Sequence, residues 1–259
     1  MLKQEVCTDQ FSAEELETFR RDGFLVQRNL VPLEYVERIL HITNRDEAAH
    51  FGDIEYEADV QYPGAPQSFT DEGGRTIRRL RQAFSRDPVF ARLVKETFIL
   101  NRLRRLLGDQ IVMPLAHHNC VMTKHPRYSS DTGWHRDTRY WSFSSSELIN
   151  VWIALGSETE ANGCLRLLPG SHKWELDAGQ LDARRFFRDD VSQNQTLLET
   201  ATTAELNAGD VVFFHARCFH SATRNYSDQT KYSAVFTFRS LDNPPMPGSR
   251  SAELPELLL

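Results

Sequence analysis

Short apolar runs bounded by turn-forming residues dominate the chain after residue 110. Five runs have the length of strands, and they cover residues 111–124, 147–155, 164–169, 210–216 and 231–238. Glycine-containing turns separate several of them, at residues 161–163, 169–171 and 207–210. This spacing favours an antiparallel barrel or jelly roll over a parallel sheet with crossover helices.

The first 110 residues show helical patterns instead. Ser12 and Glu15 have capping-box spacing, and Gly23 follows as a stop signal. A second helix is predicted from Pro32. A third is predicted from Asp87 and Pro88 to Gly108, because apolar residues recur there at helical spacing.

Residues 51–75 are rich in glycine, proline and acidic residues and show no periodicity. We expect a long loop there, and a loop of this length is a candidate lid over a functional site. A chain of 259 residues fits one domain. We therefore expect a single domain over 1–259, with a mainly helical part at 1–110, a β core at 111–240 and a C-terminal tail at 241–259.

Composition narrows the class of protein. Hydrophobic residues make up 40% and charged residues 25%, as in soluble globular proteins. The formal net charge of −6 argues against a nucleic-acid partner. No apolar stretch suits a membrane span, the N-terminus has no export signal, and the four cysteines form no C-x-x-C pair. We expect a cytoplasmic protein with a small-molecule partner and leave its oligomeric state open.

The segment around His135 and Asp137 is the most informative for chemistry. If it is extended, both side chains lie on one face of a strand and can share a metal ion. A third ligand could come from His215 or His220, which lie in or after a buried apolar run. Two histidines and a carboxylate form the facial triad that leaves three positions open on Fe(II), whereas Zn²⁺ prefers a tetrahedral site. Taken singly, an H-x-D triplet is common by chance, and a strand histidine is usually a core residue.

Several blocks of sequence, in a fixed order along the chain, support a metal site at these residues when they are taken together. The chain is similar to the phytanoyl-CoA dioxygenase family over most of its length, roughly residues 10–240, through residues 19–26 (FRRDGFLV), 134–137 (WHRD), 152–155 (WIAL), 162–173 (NGCLRLLPGSHK), 209–215 (GDVVFFH) and 220–225 (HSATRN). The resemblance implies a mainly β fold with flanking helices around a double-stranded β-helix, a cupin-like jelly roll. It also implies a dioxygenase that uses Fe(II), 2-oxoglutarate and O2.

The resemblance also assigns roles to single residues. His135 and Asp137 match the first two metal ligands. His220 matches the third because Asn225 follows it by five residues, so His215 is expected to support the site from outside. Trp152 matches an aromatic position of the cosubstrate pocket. We also expect Thr123 to contact the cosubstrate.

Two departures from the family pattern concern 2-oxoglutarate. Lys231 stands where the family usually has an arginine that binds the far carboxylate, and lysine lacks the planar fork of a guanidinium. Arg239 has the same strand parity, but eight strand residues span about 26 Å, too far to replace Lys231. Ala222 replaces a common serine, so the serine's hydrogen bond to the cosubstrate is either missing or supplied by a neighbour such as Thr223. We expect Lys231 to bind the carboxylate in a different geometry.

The intact carboxylate of Asp137 favours hydroxylation, with release of succinate and CO2, because related halogenases replace this ligand with a small residue. Local cations suggest a small or medium, anionic substrate, with Arg136, Arg139 and Tyr140 as candidate contacts. Two alternatives are a metal-containing jelly roll that binds a ligand without oxygenase activity, and a zinc-dependent hydrolase or isomerase on the same scaffold.

Overall fold

A computed structural model describes residues 9–259, and most of its helices precede residue 110. The helices are α1 (Ala13–Asp22), α2 (Leu33–Ala48), α3 (Glu57–Val60), α4 (Pro88–Leu93), α5 (Thr97–Leu107) and α6 (Ser192–Leu198). Within the described range, no helix has the length and apolar character needed to cross a membrane. Cys120, Cys164 and Cys218 are buried free thiols, and Cys7 lies outside the described residues.

The predicted helix starts are present, but one predicted helix is divided into two. Ser12 and Glu15 form the reciprocal capping box, and Gly23 ends α1 with a φ of 82°. The Asp87 side chain caps α4 by accepting from the Val89 N–H at 2.9 Å. The third predicted helix is two helices, because the chain turns out of helical geometry before Glu96, which becomes the N-cap of α5 and accepts a hydrogen bond from the Tyr35 hydroxyl.

The strands form two antiparallel sheets. They are β1 (Phe24–Gln27), β2 (Ile54–Tyr56), β3 (Ile77–Arg81), β4 (Ile111–Pro114), β5 (Asn119–Lys124), β6 (Thr132–His135), β7 (Leu148–Ala154), β8 (Leu165–Leu167), β9 (Thr202–Ala204), β10 (Val211–His215), β11 (His220–Ala222), β12 (Lys231–Ser240) and β13 (Glu256–Leu258). The major sheet has the order β1-β10-β7-β12-β5-β3-β2, with β4 joined to β12 and β13. The minor sheet has the order β6-β11-β8-β9.

The central strands of the major sheet are buried on both faces. Val151, Phe213 and Phe236 belong to the core that includes residues of the N-terminal helices. Their chain neighbours, among them Trp152 and Phe214, belong to a second core that includes residues of the minor sheet. Because side chains alternate along a strand, burial of both faces explains why these strands read as continuous apolar runs.

The boundaries predicted at residues 110 and 240 do not separate the sheets. Strands β1, β2 and β3 precede residue 110 and belong to the major sheet, and β13 in the predicted tail pairs with β4. Residues 51–75 were expected to form a loop, but they include β2 and α3. The pattern hides β3 because it carries three arginines (Ile77–Arg81), whose charges are met by acidic side chains, among them Glu55 and Asp53.

A buried ion pair joins α2 to the segment before β2. Asp46 is fully buried, and its Oδ2 accepts from Arg86 Nη1 at 2.9 Å. Arg86 also donates to the carbonyls of Phe51 and Asp53, at 2.8 and 2.6 Å. This one guanidinium therefore fixes the start of the segment that leads into β2.

We predict that Asp46→Ala lowers the free energy of unfolding by about 3 to 5 kcal/mol, because it leaves the Arg86 charge buried and uncompensated. Urea denaturation measures this change. Glu17→Ala is the control, since Glu17 pairs with Arg20 on the exposed surface, and it should change stability by less than about 1 kcal/mol. Equal effects of the two substitutions would contradict the role given to this pair.

Candidate metal centre

Two histidines come together because their strands are neighbours in the minor sheet. His135 ends β6 and His220 begins β11, and the two residues are register partners. Their ring centroids lie 4.2 Å apart. Both side chains are buried, so the pair lies inside the jelly roll.

Hydrogen bonds to the backbone orient both rings. Nδ1 of His135 lies 2.8 Å from the Gly133 carbonyl oxygen, and Nδ1 of His220 lies 3.0 Å from that of Cys218. Each ring nitrogen that donates in this way leaves Nε2 as the free ligand atom, an arrangement typical of metal-binding histidines. Burial lowers the pKa of both imidazoles, and the Arg139 charge lowers each further. Both rings are therefore held in the neutral form that binds metal.

Asp137 supplies the third ligand atom. It begins a short 3-10 turn (Asp137–Arg139), and its N–H donates to the Ala216 carbonyl at 3.0 Å. Its Oδ1 lies 3.8 Å from Nε2 of His135 and 3.7 Å from Nε2 of His220. One ligand atom from each of the three residues lies within 4.8 Å of the others. The donor set, two neutral imidazoles and one carboxylate, suits a divalent transition metal.

The Asp137 carboxylate is held from both sides. Asn150 Nδ2 donates to Oδ2 at 2.7 Å, and the Thr237 hydroxyl donates to the Asn150 side-chain carbonyl at 2.6 Å. His118 Nε2 lies 3.1 Å from Oδ1. Burial alone would raise the pKa of Asp137, but the charge of His118 and its hydrogen bond hold that pKa well below its usual range. Asp137 is therefore ionised and presents one oxygen to the two histidines.

Two cavities meet at these three residues. A small cavity of about 40 Å³ is lined by the triad, Lys124 and Trp152, together with Met122, Leu165 and Ala222. A larger one of about 390 Å³ is lined by His135 and Asp137 and extends past residues 139–141 to the C-terminal segment at 250–254. A metal ion at the triad would thus face a narrow chamber on one side and a wider one on the other.

The predicted cosubstrate residues have three different positions. Trp152 lines the small cavity, and its indole N–H donates to Glu158 at 3.0 Å. Lys231 is buried, and its Nζ lies 3.0 Å from Glu158 Oε2 and 5.0 Å from the centre of the Trp152 ring. Thr123 faces the other side of β5 from Met122 and Lys124, and its hydroxyl donates to the Ile77 carbonyl. Thr123 is thus turned away from the small cavity.

The predicted substrate residues also separate. Arg139 and Tyr140 line the larger cavity. Arg136 points elsewhere, because its Nη2 donates to the carbonyls of Ser171 and Trp174 at 2.6 and 2.9 Å. His215 was expected to support the triad, but it lies 3.2 Å from Glu147 and accepts from the Arg217 N–H.

Sequence reasoning missed His118, Asn150 and Thr237 as neighbours of the triad. Asn150 and Thr237 are polar residues within the apolar runs of β7 and β12. A polar side chain in a strand buried on both faces needs a partner, so these two could have been singled out. His118 lies in the bend between β4 and β5 and carries no such signal.

Comparison with known proteins agrees with this arrangement. The ectoine dioxygenase of Bordetella parapertussis is 23% identical over 251 residues, covering 91% of this chain and 77% of the relative. A probable alpha-ketoglutarate-dependent hypophosphite dioxygenase of Stutzerimonas stutzeri is 24% identical over 243 residues, covering 91% and 81%. The crystal structure of EctD from S. alaskensis with 2-oxoglutarate and 5-hydroxyectoine superposes with a TM-score of 0.74 at 20% identity, covering 95% of this chain and 82% of that one.

The sequence model of the phytanoyl-CoA dioxygenase family matches residues 19–233. This match, the jelly-roll fold of the structural relatives and the triad confirm the predicted class of enzyme, a dioxygenase that uses Fe(II), 2-oxoglutarate and O2. The chain belongs to the phytanoyl-CoA dioxygenase family.

Proposed function

We propose that this dioxygenase hydroxylates a small or medium organic substrate and that His135, Asp137 and His220 hold its Fe(II). The observation that carries the proposal is the convergence of His220, which is remote in sequence, with His135 and Asp137, so that one ligand atom from each lies within 4.8 Å of the others. Three protein ligands leave half of an octahedral coordination sphere for a chelating cosubstrate and O2. The intact carboxylate at Asp137 favours hydroxylation over halogenation.

The protein's part in this chemistry is to orient and to shield. Fe(II) held by the triad would supply the oxidising chemistry of hydroxylation, in which one oxygen atom of O2 enters the substrate and the other enters succinate as 2-oxoglutarate loses CO2. The hydrogen bonds from Asn150 and His118 keep the Asp137 oxygen directed at the metal position. The apolar residues of the small cavity, among them Leu165 and Phe214, exclude water beside it.

We further propose that the far carboxylate of 2-oxoglutarate binds near two lysines of neighbouring strands, Lys124 and Lys231. The two residues are register partners on β5 and β12, so both side chains extend from the same face of the sheet. Lys231 is already paired with the fully buried Glu158. Lys124 lines the small cavity, and its Nζ donates to the Ser130 carbonyl at 2.9 Å. Lys124 therefore supplies the charge that is free to meet an incoming anion.

The two alternative functions predict different experimental results. A binding protein without oxygenase activity would release no succinate from 2-oxoglutarate when Fe(II) and O2 are supplied. A zinc hydrolase or isomerase would hold stoichiometric zinc and work equally well without O2. Succinate release that requires both iron and O2 supports the oxygenase against both alternatives.

We predict that His135→Ala, Asp137→Ala and His220→Ala each weaken Fe(II) binding by more than about a hundredfold, because each removes a ligand. His215→Ala is the control and should retain binding, since His215 contacts Glu147 instead. Anaerobic titration with Fe(II) measures the affinities. Equal loss in the His215 variant would contradict the choice of His220 as the third ligand.

We predict that Lys124→Ala weakens 2-oxoglutarate binding about ten- to a hundredfold, the usual effect of losing a hydrogen bond between charged groups. Anaerobic titration of the Fe(II) protein measures this, and Lys173→Ala, on an exposed lysine, is the control. Lys231→Met combined with Glu158→Gln removes the internal pair without leaving a lone charge. If only this double variant loses 2-oxoglutarate affinity, Lys231 and not Lys124 is the main anchor.

The same site predicts a pH dependence. Burial lowers the pKa of Lys124 to about 7, and the charges of Arg78 and Lys231 also lower it, while Glu57 and Asp131 oppose them. A bound carboxylate favours the ammonium form, so binding takes up a proton when the pH exceeds this pKa. We expect 2-oxoglutarate affinity to fall as the pH rises from 7 to 8.5, and Lys124→Gln should flatten the profile. A steep decline that persists in Lys124→Gln would contradict this.

We predict that Asn150→Leu weakens Fe(II) binding about ten- to a hundredfold, the usual effect of losing a hydrogen bond to a metal ligand. It should also shift the charge-transfer absorption of the Fe(II) and 2-oxoglutarate complex, because Asp137 is then free to rotate. Thr237→Val should have a smaller effect, since it only releases the Asn150 amide. Unchanged affinity and spectrum in Asn150→Leu would show that the carboxylate is fixed by other contacts.

A further inference from the structure

The cations of the larger cavity differ in whether their charge is already matched. Arg79 lies 3.3 Å from Glu55, and Arg81 lies 2.7 Å from Asp53. Arg250 is exposed at the rim. Arg139 also lines the cavity, beside the metal ligands, and within residues 9–259 it forms no ion pair with an acidic side chain. It is therefore the partly buried cation of this cavity whose charge is unmatched.

The Arg139 guanidinium lies over two aromatic rings. Its carbon lies 4.0 Å from the ring centre of Phe186 and 4.7 Å from that of Tyr140. Nη2 donates to the Tyr62 hydroxyl at 3.0 Å, whereas Nη1 is buried and has no hydrogen-bond partner among residues 9–259. A buried donor without a partner is costly, so this one indicates a group that arrives with the ligand. A guanidinium with such a donor can bind a two-oxygen anion such as a carboxylate or phosphonate.

The surroundings of Arg139 indicate what else the ligand carries. His117 stacks on Trp141 with ring centres 4.6 Å apart, and both line the same cavity. Tyr62 and Tyr140 add two further rings to its wall. Flat aromatic walls favour a planar or apolar body beside the anionic group.

The size of the cavity limits the ligand. About 390 Å³ lies near the lower end of the volumes of small-molecule sites. A compact acid fits within it, whereas an acyl-CoA thioester would have to leave most of its nucleotide outside. The cavity therefore favours a small acid over an acyl thioester.

We propose that the substrate of this enzyme is a small organic acid, with a carboxylate or phosphonate that binds Arg139 and a planar or apolar body against the aromatic wall. This assignment rests on the proposed function, because the larger cavity is the substrate chamber only if the triad holds the reactive iron. It makes Arg139 the residue that selects for charge.

The test compares three probes that differ in their polar group: phenylacetate, benzylphosphonate and the neutral phenylacetamide. Each is titrated by calorimetry into the anaerobic protein loaded with Fe(II) and 2-oxoglutarate. We expect the wild type to bind at least one anion about tenfold more tightly than the amide. The stronger anion distinguishes a carboxylate site from a phosphonate site.

The variants distinguish the contribution of Arg139 to anion affinity from that of the other charges in the cavity. Arg139→Gln should reduce the affinity for the anion to that for the amide, and Arg139→Lys should retain part of the preference. Arg81→Gln is the matched control, since its charge is paired with Asp53, and it should change anion affinity by less than about threefold. An anion preference that survives in Arg139→Gln, is lost equally in Arg81→Gln, or is absent from the wild type at 10 mM probe would overturn the proposal.

The same experiment distinguishes this inference from the proposed function. Binding of Fe(II) and 2-oxoglutarate is measured first, and its failure would count against the oxygenase alone. The probes are then titrated into metal-free protein as well. We expect the affinity for the anionic probes to depend on Arg139 there too, because this contact does not require iron. The wild type and Arg139→Gln are both compared at saturating Fe(II) and 2-oxoglutarate, because Arg139 lies close enough to the triad for its charge to lower the pKa of His135 and His220.

Discussion

A buried negative charge organises the centre of this protein. The Asp137 carboxylate is 7% exposed, and a carboxylate in such a place is tolerated only with hydrogen bonds and countercharge. Asn150 and Thr237 meet part of this need from β7 and β12, the central strands of the major sheet. The histidines that share the site belong to the minor sheet. The candidate metal centre therefore lies where the two sheets meet, and its geometry depends on how closely they pack.

Other buried charges around the small cavity are also paired with side chains of opposite charge. Arg78 is buried beside Glu55 and Glu57, and Lys231 is buried beside Glu158. Glu158 is in turn satisfied by the Trp152 indole and the Ser233 hydroxyl. Most of the buried charges around this cavity therefore have a fixed internal partner. Lys124 and Arg139 line the two cavities beside the triad, and among residues 9–259 neither forms an ion pair with an acidic side chain.

The sequence was sufficient for the parts of the molecule that obey local or strongly patterned rules. The capping box at Ser12 and the apolar runs of β7, β10 and β12 could be found because burial on both faces leaves a continuous signal. The choice of His220 over His215 depended on family resemblance, since both lie in buried strands and only strand register decides which one meets His135.

Other features depend on contacts that no local pattern encodes. Strand β3 is rich in arginine and is a strand because acidic side chains of the preceding segment neutralise it. The internal partner of Lys231, Glu158, lies 73 residues away in sequence. The contact between Arg139 and Phe186 joins two segments that are far apart in sequence. Such pairings arise from tertiary packing, and the isolated sequence offered no means to anticipate them.

The far end of the chain has a part in the larger cavity that its position in sequence conceals. Arg250, Glu253 and Leu254 form one wall, and the short strand β13 that follows them is fastened to β4 and to Arg239 through Glu256. This wall belongs to neither layer of the jelly roll and supplies no metal ligand. Related enzymes could therefore acquire new substrate preferences by exchanging this terminal segment, while the scaffold that activates oxygen stays as it is.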